Sequence, residues 1–346
     1  MVMHPRDALM GAQASAGFLP VCDHYSGVEA RMRKSLALQA EMTEEFGVCV
    51  FDVTLDCEDG APVGGELDHA NMVAALANHA RLATKNIANV KNSAAARVAV
   101  RVHPVDHPLF EQDVATVVGK AGAALCHLMI PKVESVADVD RAVKAVDRAW
   151  PGPAGSQLPL HVLIESPAAV HRAFDIAAHP RVQSISFGLM DFVSAHAGAI
   201  PAEGMSGAGQ FSHPLVVRAK LEIASACHAH GKVPSHCVVT EFKDTAVLRA
   251  AARQAAREMG YQRMWSIHPD QIRPIIAAFM PDELDIEMAS EIILKAEGVA
   301  WAPISFGGRL HDRASYRYFW QTLERAHHTG RALPSGVRAY FDVPGH

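Results

Sequence analysis

The sequence predicts an α/β fold, a (β/α)8 barrel with a C-terminal helical extension. Three observations predict it. Eight short strand-like runs alternate with longer helix-like stretches, which implies parallel βαβ units. These units occupy roughly 270 residues, close to the usual size of such a barrel. No GxGxxG turn follows the first run, which ends Cys22-Asp23-His24-Tyr25-Ser26-Gly27, so the open dinucleotide-binding sheet is disfavoured.

The runs, in order, are Gly17–Cys22, Cys49–Leu55, Val98–Val102, Leu125–Ile130, His161–Ile164 and Ser184–Phe187, then two weaker ones over Lys232–Val239 and Met264–Ile267. Between them, Asn71–Thr84 and Ala137–Trp150 place apolar residues three and four apart, the helical period. Pro214–His230 and Thr245–Met259 are rich in alanine, the strongest helix former. The expected barrel domain is 1–280. Residues 281–346 form an expected C-terminal arm: a helix over Asp282–Glu297, a segment Trp301–Leu310 holding Gly307 and Gly308, and a helix over Ser315–His328. Such an arm suits packing on the barrel or on a neighbouring subunit.

Composition narrows the class of protein. The chain has 346 residues, 49% of them hydrophobic and 20% charged, and a formal net charge of −5. Nothing in that balance points to nucleic acid or an anionic membrane as a partner. No apolar run approaches the ~20 residues needed to cross a bilayer. The N-terminus lacks the basic and apolar segments of a secretory signal. The six cysteines form no CxxC pair and no zinc-type spacing. Reduced, mostly buried thiols and a cytoplasmic location are expected.

In a parallel barrel, polar residues at the carboxyl ends of the strands converge on the active-site mouth. The second run ends Asp56-Cys57-Glu58-Asp59-Gly60 and the third ends Arg101-Val102-His103-Pro104. Crowded carboxylates repel unless a cation lies among them. Arg101 suits a substrate carboxylate or a developing enolate, and equally an ion pair to Asp56 or Glu58. Glu165 and Asp191 follow adjacent strands. Two oxygen ligands with room for water and substrate is how Mg²⁺ is usually held. Lys132 ends the fourth run, where a Schiff-base role is conceivable but redundant beside a metal pair. His103 and His268 read as orienting or structural. Gln210 and His213, with Gly207 and Gly209 near them, read as parts of a mobile lid.

LDCEDG at 55–60, RVHP at 101–104, IPKVES at 130–135, IESP at 164–167, FGLMD at 187–191 and SIHPDQI at 266–272 follow in order at suitable spacing. Together they resemble the HpcH/HpaI aldolase and citrate lyase superfamily, nearer its citrate lyase β-subunit and malyl-CoA lyase branch. The resemblance implies a Mg²⁺-dependent carbon–carbon lyase acting on a 3-hydroxy-acyl thioester and giving a 2-oxo acid and an acyl-CoA enolate. It implies Glu165 and Asp191 as metal ligands, with Arg101, Glu58 and Asp59 as catalytic groups. GGRLHD at 307–312 is similar to the segment that carries an aspartate into a neighbouring subunit's site, which marks Asp312. It implies a homo-oligomer, a trimer or hexamer. Asp23, His24 and Tyr25 occupy the region that binds the coenzyme A nucleotide in such lyases, so they are expected to bind substrate. The first strand and the segment after Asp191 depart from the family's common form. A pyruvate-dependent class II aldolase without CoA is the alternative, and a non-catalytic ligand-binding barrel the third reading.

Overall fold

A computed structural model of the protein describes residues 4–10, 18–85, 95–153 and 155–342. The chain divides into two compact units. One runs from Pro20 to Glu45 and from Cys49 to Phe279; the other joins residues up to Leu19, Phe46–Val48 and the chain from Met280 onward. The second unit thus draws on described residues from near both ends of the chain.

The larger unit is a closed barrel of eight parallel strands. In chain order its elements are β1 (Cys22–Ser26), α2 (Glu29–Phe46, following a short α1 at Pro5–Met10), β2 (Phe51–Asp56), α3 (Glu66–Lys85), β3 (Val98–Arg101), α4 (Phe110–Ala121), β4 (Leu125–Ile130), α5 (Val136–Ala149), β5 (Leu160–Ile164), α6 (Pro167–His171), α7 (Ala173–Ala178), β6 (Val182–Phe187), α8 (Leu189–Ser194), α9 (Pro214–Ala229), β7 (Val233–His236), α10 (Thr245–Arg257), β8 (Arg263–Ser266) and α11 (Pro269–Phe279). β1 pairs with both β2 and β8, which closes the ring. The barrel predicted from the sequence is the barrel observed.

The first strand is a correction. The apolar run ending at Cys22 was expected to be the strand and Asp23–Tyr25 its turn; instead β1 consists of Cys22-Asp23-His24-Tyr25-Ser26. The reason lies in the barrel interior, which is polar at its amino-terminal half. Asp23 and Asp52 share the guanidinium of Arg263 at 3.2 and 2.7 Å, and Arg97 donates to Asp52 at 2.5 Å. Thr54 donates to Asp23 at 2.6 Å. A strand that feeds such a layer carries charge, and a search for apolar runs passes over it.

Two residues further along each strand the interior changes character, since side chains alternate with period two. Met129, Leu163 and Trp265 form an apolar cluster, with Tyr25 packed against it. Two residues further again stand Arg101 and Glu165, at the mouth. The same barrel therefore has a charged floor, an apolar middle and a charged top.

The second unit holds α12 (Glu283–Gly298), a hairpin of β9 (Ile304–Phe306) and β10 (Arg309–His311), α13 (Arg313–His328) and α14 (Ser335–Arg338). Gly307 and Gly308 form the hairpin turn with φ of 55° and 73°. A two-residue turn with both φ positive matches the twist of the paired strands and favours glycine. Leu9 of α1, Trp301, Tyr316, Trp320 and Leu323 are buried in this unit's own core.

Candidate active site

The acidic turn after β2 is folded back by its first residue. Asp56 accepts the Glu58 amide at 3.1 Å through Oδ1 and the Gly60 amide at 2.8 Å through Oδ2. A Cβ on Gly60 would lie 2.1 Å from the Gly27 carbonyl oxygen, so only glycine allows the turn to close there. This turn aims three carboxylates at Arg101. Arg101 donates from Nε to Asp56 Oδ1 at 2.7 Å and from Nη2 to Asp56 Oδ2 at 3.0 Å. Its Nη2 also reaches Asp59 at 2.9 Å, and its Nη1 reaches Glu58 at 2.9 Å. Tyr25 donates its hydroxyl to Asp56 at 2.7 Å, and its ring lies under the guanidinium, 5.0 Å from Cζ. Burial raises the Asp56 pKa, but the hydrogen bonds and charge of Arg101 outweigh it and hold the carboxyl below its usual range.

Across the mouth stands Glu165, 6% exposed. Its place is fixed from both sides. Ser166 caps α6, accepting the Ala169 amide at 3.0 Å, and Pro167 is that helix's first residue, so β5 stops just before Glu165. On the other side, Gly188 donates its amide to the Ile164 carbonyl at 2.9 Å. A Cβ on Gly188 would lie 2.5 Å from Glu165 Cγ, so this glycine leaves room for the carboxylate. Asp191 sits in the first turn of α8 with its side chain exposed. Burial, then the nearby charges of Asp191 and Glu58, push the Glu165 carboxyl up to about 8. Such mutual repulsion is relieved by a proton or by a cation.

Lys132 completes the cluster, donating to Glu58 Oε1 at 2.8 Å. Among the described residues, the cations paired with this group of five carboxyls (Asp56, Glu58, Asp59, Glu165 and Asp191) are Arg101 and Lys132, so acid outnumbers base even with the Glu165 proton in place. A divalent cation held by hard oxygen ligands fits that excess.

The structure places the remaining candidates elsewhere. Asp23 and His24 are corrections. Asp23, 1% exposed, belongs to the floor. His24, 2% exposed, faces out of the strand, with Ser266 and Ser35 on its two ring nitrogens at 2.6 and 3.0 Å. Neither offers an atom to a substrate, because burial and these partners use up both side chains. The lid reading of 207–213 is corrected too. Gln210 is fully buried, accepting from Lys220 Nζ at 2.7 Å and Cys237 Sγ at 3.1 Å. Cβ atoms on Gly207 and Gly209 would lie 2.2 Å from Val247 Cγ1 and 1.8 Å from the Glu203 carbonyl oxygen, so these glycines serve close packing. His103 is held by Asp113 at 2.6 Å, an orienting contact. Asp312 is exposed in the second unit. There it caps α13, accepting the Ala314 and Ser315 amides at 3.0 and 3.3 Å in a capping box. The six cysteines are free.

Among the described residues, Asp23, His127 and His161 of the barrel floor also bring potential ligand atoms within 4.8 Å of one another. Two observations speak against an ion there. Arg263 already neutralises Asp23. The His127 and His161 rings stack at 3.4 Å with planes 14° apart, which keeps their in-plane lone pairs in separate, nearly parallel planes and hinders both from pointing at one ion. Burial, together with Arg263, pushes both imidazoles well below their usual pKa, so they are neutral spacers.

Asp56, Tyr25 and Lys132 are the residues whose roles were least legible in the sequence. The alternation Asp52, Thr54, Asp56 was the available signal, since it sets all three on the interior face of one strand.

A closed parallel barrel whose carboxyl-terminal mouth gathers paired carboxylates around one guanidinium defines a barrel enzyme with its chemistry at the strand ends. The chain belongs to the HpcH/HpaI aldolase/citrate lyase family, which it matches over residues 35–269. It is 32% identical over 241 residues to an L-malyl-CoA/beta-methylmalyl-CoA lyase of Cereibacter sphaeroides, covering 64% of this chain and 73% of that protein. A citrate lyase from Burkholderia xenovorans LB400 aligns over 99% of this chain and 100% of its own, with 44% identity and a TM-score of 0.77. Protein CitE from Mycobacterium tuberculosis, in complex with magnesium, acetoacetate and coenzyme A, shares the fold at 20% identity, covering 89% of this chain and 98% of its own, with a TM-score of 0.63. The protein is a carbon–carbon lyase. No helix among the described residues is long and apolar enough to cross a membrane.

Proposed function

We propose that the protein is a Mg²⁺-dependent lyase that cleaves, or forms, a 3-hydroxy-acyl thioester, with a 2-oxo acid and an acyl-CoA as the other side of the equilibrium. The observation that carries this reading is the charge excess at the mouth, where Glu165 and Asp191 repel one another beside a guanidinium. Glu165 and Asp191 would hold the ion, which when bound supplies Lewis-acid polarisation of the oxygens on the acid portion of the substrate. Arg101 is fixed by Asp56 and Glu58, so its charge is oriented before substrate arrives. Asp59 is the replaceable partner. Its side chain is 71% exposed, and a substrate oxygen can take its place on Nη2. Tyr25 supports the guanidinium from below. Cleavage breaks the bond between the carbinol carbon and the carbon alpha to the thioester. The hydroxyl proton leaves to a base, the carbinol oxygen becomes the oxo group, and the electron pair passes to the acyl enolate, which is then protonated. Asp312, brought by a neighbouring copy in a homo-oligomer, is the proposed proton-transfer group.

The test is deuterium exchange in D₂O at the methyl groups of acetyl-CoA and of pyruvate, with and without Mg²⁺ and a trial 2-oxo acid. Mg²⁺-dependent exchange into acetyl-CoA supports the reading. Exchange into pyruvate alone transfers the protein to the aldolase branch.

A further inference from the structure

Lys132 stands two residues past the carboxyl end of β4 with φ of 53°, the left-handed region that a lysine seldom adopts. Strain of this kind persists only where the surroundings impose it, and it collects at functional sites. From this conformation the side chain reaches Glu58, whose other oxygen is held by Arg101. Glu58 is therefore clamped between two cations, one on each carboxylate oxygen. The charges of Glu165 and Asp191 also act on the ammonium. Without it the five carboxyl groups named at the mouth would face, among the described residues, the Arg101 guanidinium alone.

We propose that Lys132 is a positioning residue whose strained backbone keeps Glu58 locked against Arg101 and whose charge lets an anionic 2-oxo acid or enolate enter this acidic mouth. The proposal rests on the lyase reading above. It also accounts for a lysine standing where glycine or asparagine would fit the backbone better. A Schiff base is not required, because the amine is engaged by Glu58.

Calorimetry on the full chain separates the two ideas. Mg²⁺ is titrated first, and then oxalate, a planar dianion that mimics the enolate of a 2-oxo acid, in the presence of Mg²⁺. Wild-type protein is expected to bind oxalate only with Mg²⁺. Lys132→Met is expected to bind Mg²⁺ at least as tightly as wild type, because a positive charge near the ion's ligands is lost, and to bind oxalate about tenfold more weakly, the effect of one lost charge-assisted contact. Lys132→Arg should recover most of that loss. Lys132→Gly should match Lys132→Met in oxalate affinity while its Tm rises by about 2 °C as the backbone strain is released. A lysine kept only for stability would instead lower Tm and leave oxalate binding unchanged, and that result overturns the proposal. Wild-type protein that binds neither Mg²⁺ nor oxalate sinks the lyase reading and the proposal together. Intact Mg²⁺ and oxalate binding with no effect of Lys132→Met sinks the proposal alone.

Discussion

Arg101 grips Asp56 with two nearly parallel hydrogen bonds, Nε to Oδ1 at 2.7 Å and Nη2 to Oδ2 at 3.0 Å. This fork orients the guanidinium so that Nη1 and the outer side of Nη2 face the mouth. Lysine has the charge but not the fork. Arg101→Lys is therefore expected to lower kcat/KM about 100- to 1000-fold, as for loss of a fixed electrostatic group. Circular dichroism and Tm should stay near wild type. Retained activity in Arg101→Lys would show that the charge alone suffices.

Glu165 gives a prediction with a pH sign. Its carboxyl is raised from 4.5 to about 8, chiefly by burial and then by Asp191. The folded state therefore binds the proton more tightly than the unfolded state. The associated stability is fully present below about pH 4.5 and is lost as pH rises through about 8. Glu165→Gln removes this loss. In metal-free protein the variant should be more stable than wild type above pH 8, by on the order of 4 kcal/mol before relaxation, and nearly equal to it at pH 4.5. Mg²⁺ should stabilise wild type and not the variant, and Mg²⁺-dependent turnover should vanish. Thermal melts from pH 5 to 9 read the difference, and parallel pH profiles for the two proteins would contradict it.

The barrel floor predicts a different response. Arg263 is fully buried and bridges Asp23 and Asp52. Arg263→Met leaves two buried carboxylates with Arg97 as the nearest counter-charge. Breaking such a network costs about 3–5 kcal/mol. Denaturant midpoints should fall accordingly. Asp23 is already raised to about 6 by burial, with Arg263 opposing that shift. Losing Arg263 should raise it further, so the defect deepens from acid to neutral pH. A variant as stable as wild type would mean that the floor network contributes no net energy.

Asp312 has a structural duty and a proposed chemical one, and two substitutions separate them. Asn can still cap α13, whereas Ala cannot. Asp312→Ala should lose about 1 kcal/mol of stability. Asp312→Asn should keep the stability and lose the carboxylate. A kcat drop in Asp312→Asn without a Tm change supports the proton-transfer role. Full activity in that variant leaves Asp312 as a cap alone.

The sequence by itself determined the barrel, because eight β-branched runs spaced by amphipathic or alanine-rich stretches leave few other ways to bury their apolar faces. It also brought out Arg101, Glu58, Glu165 and Asp191, because strand ends converge in any parallel barrel and chain position alone locates them. Tertiary structure alone decided the rest. Asp23 and His24 could not be told from mouth residues, since their burial depends on Arg263, Ser35 and Ser266, which are remote in sequence. Gln210 read as a lid because local glycines look like freedom, while its partners Lys220 and Cys237 come from a later helix and strand end. The strain at Lys132 is likewise invisible in the sequence. The positive φ at Lys132 and the Glu58 carboxylate it reaches, which follows a strand two places away, come together only in the folded barrel.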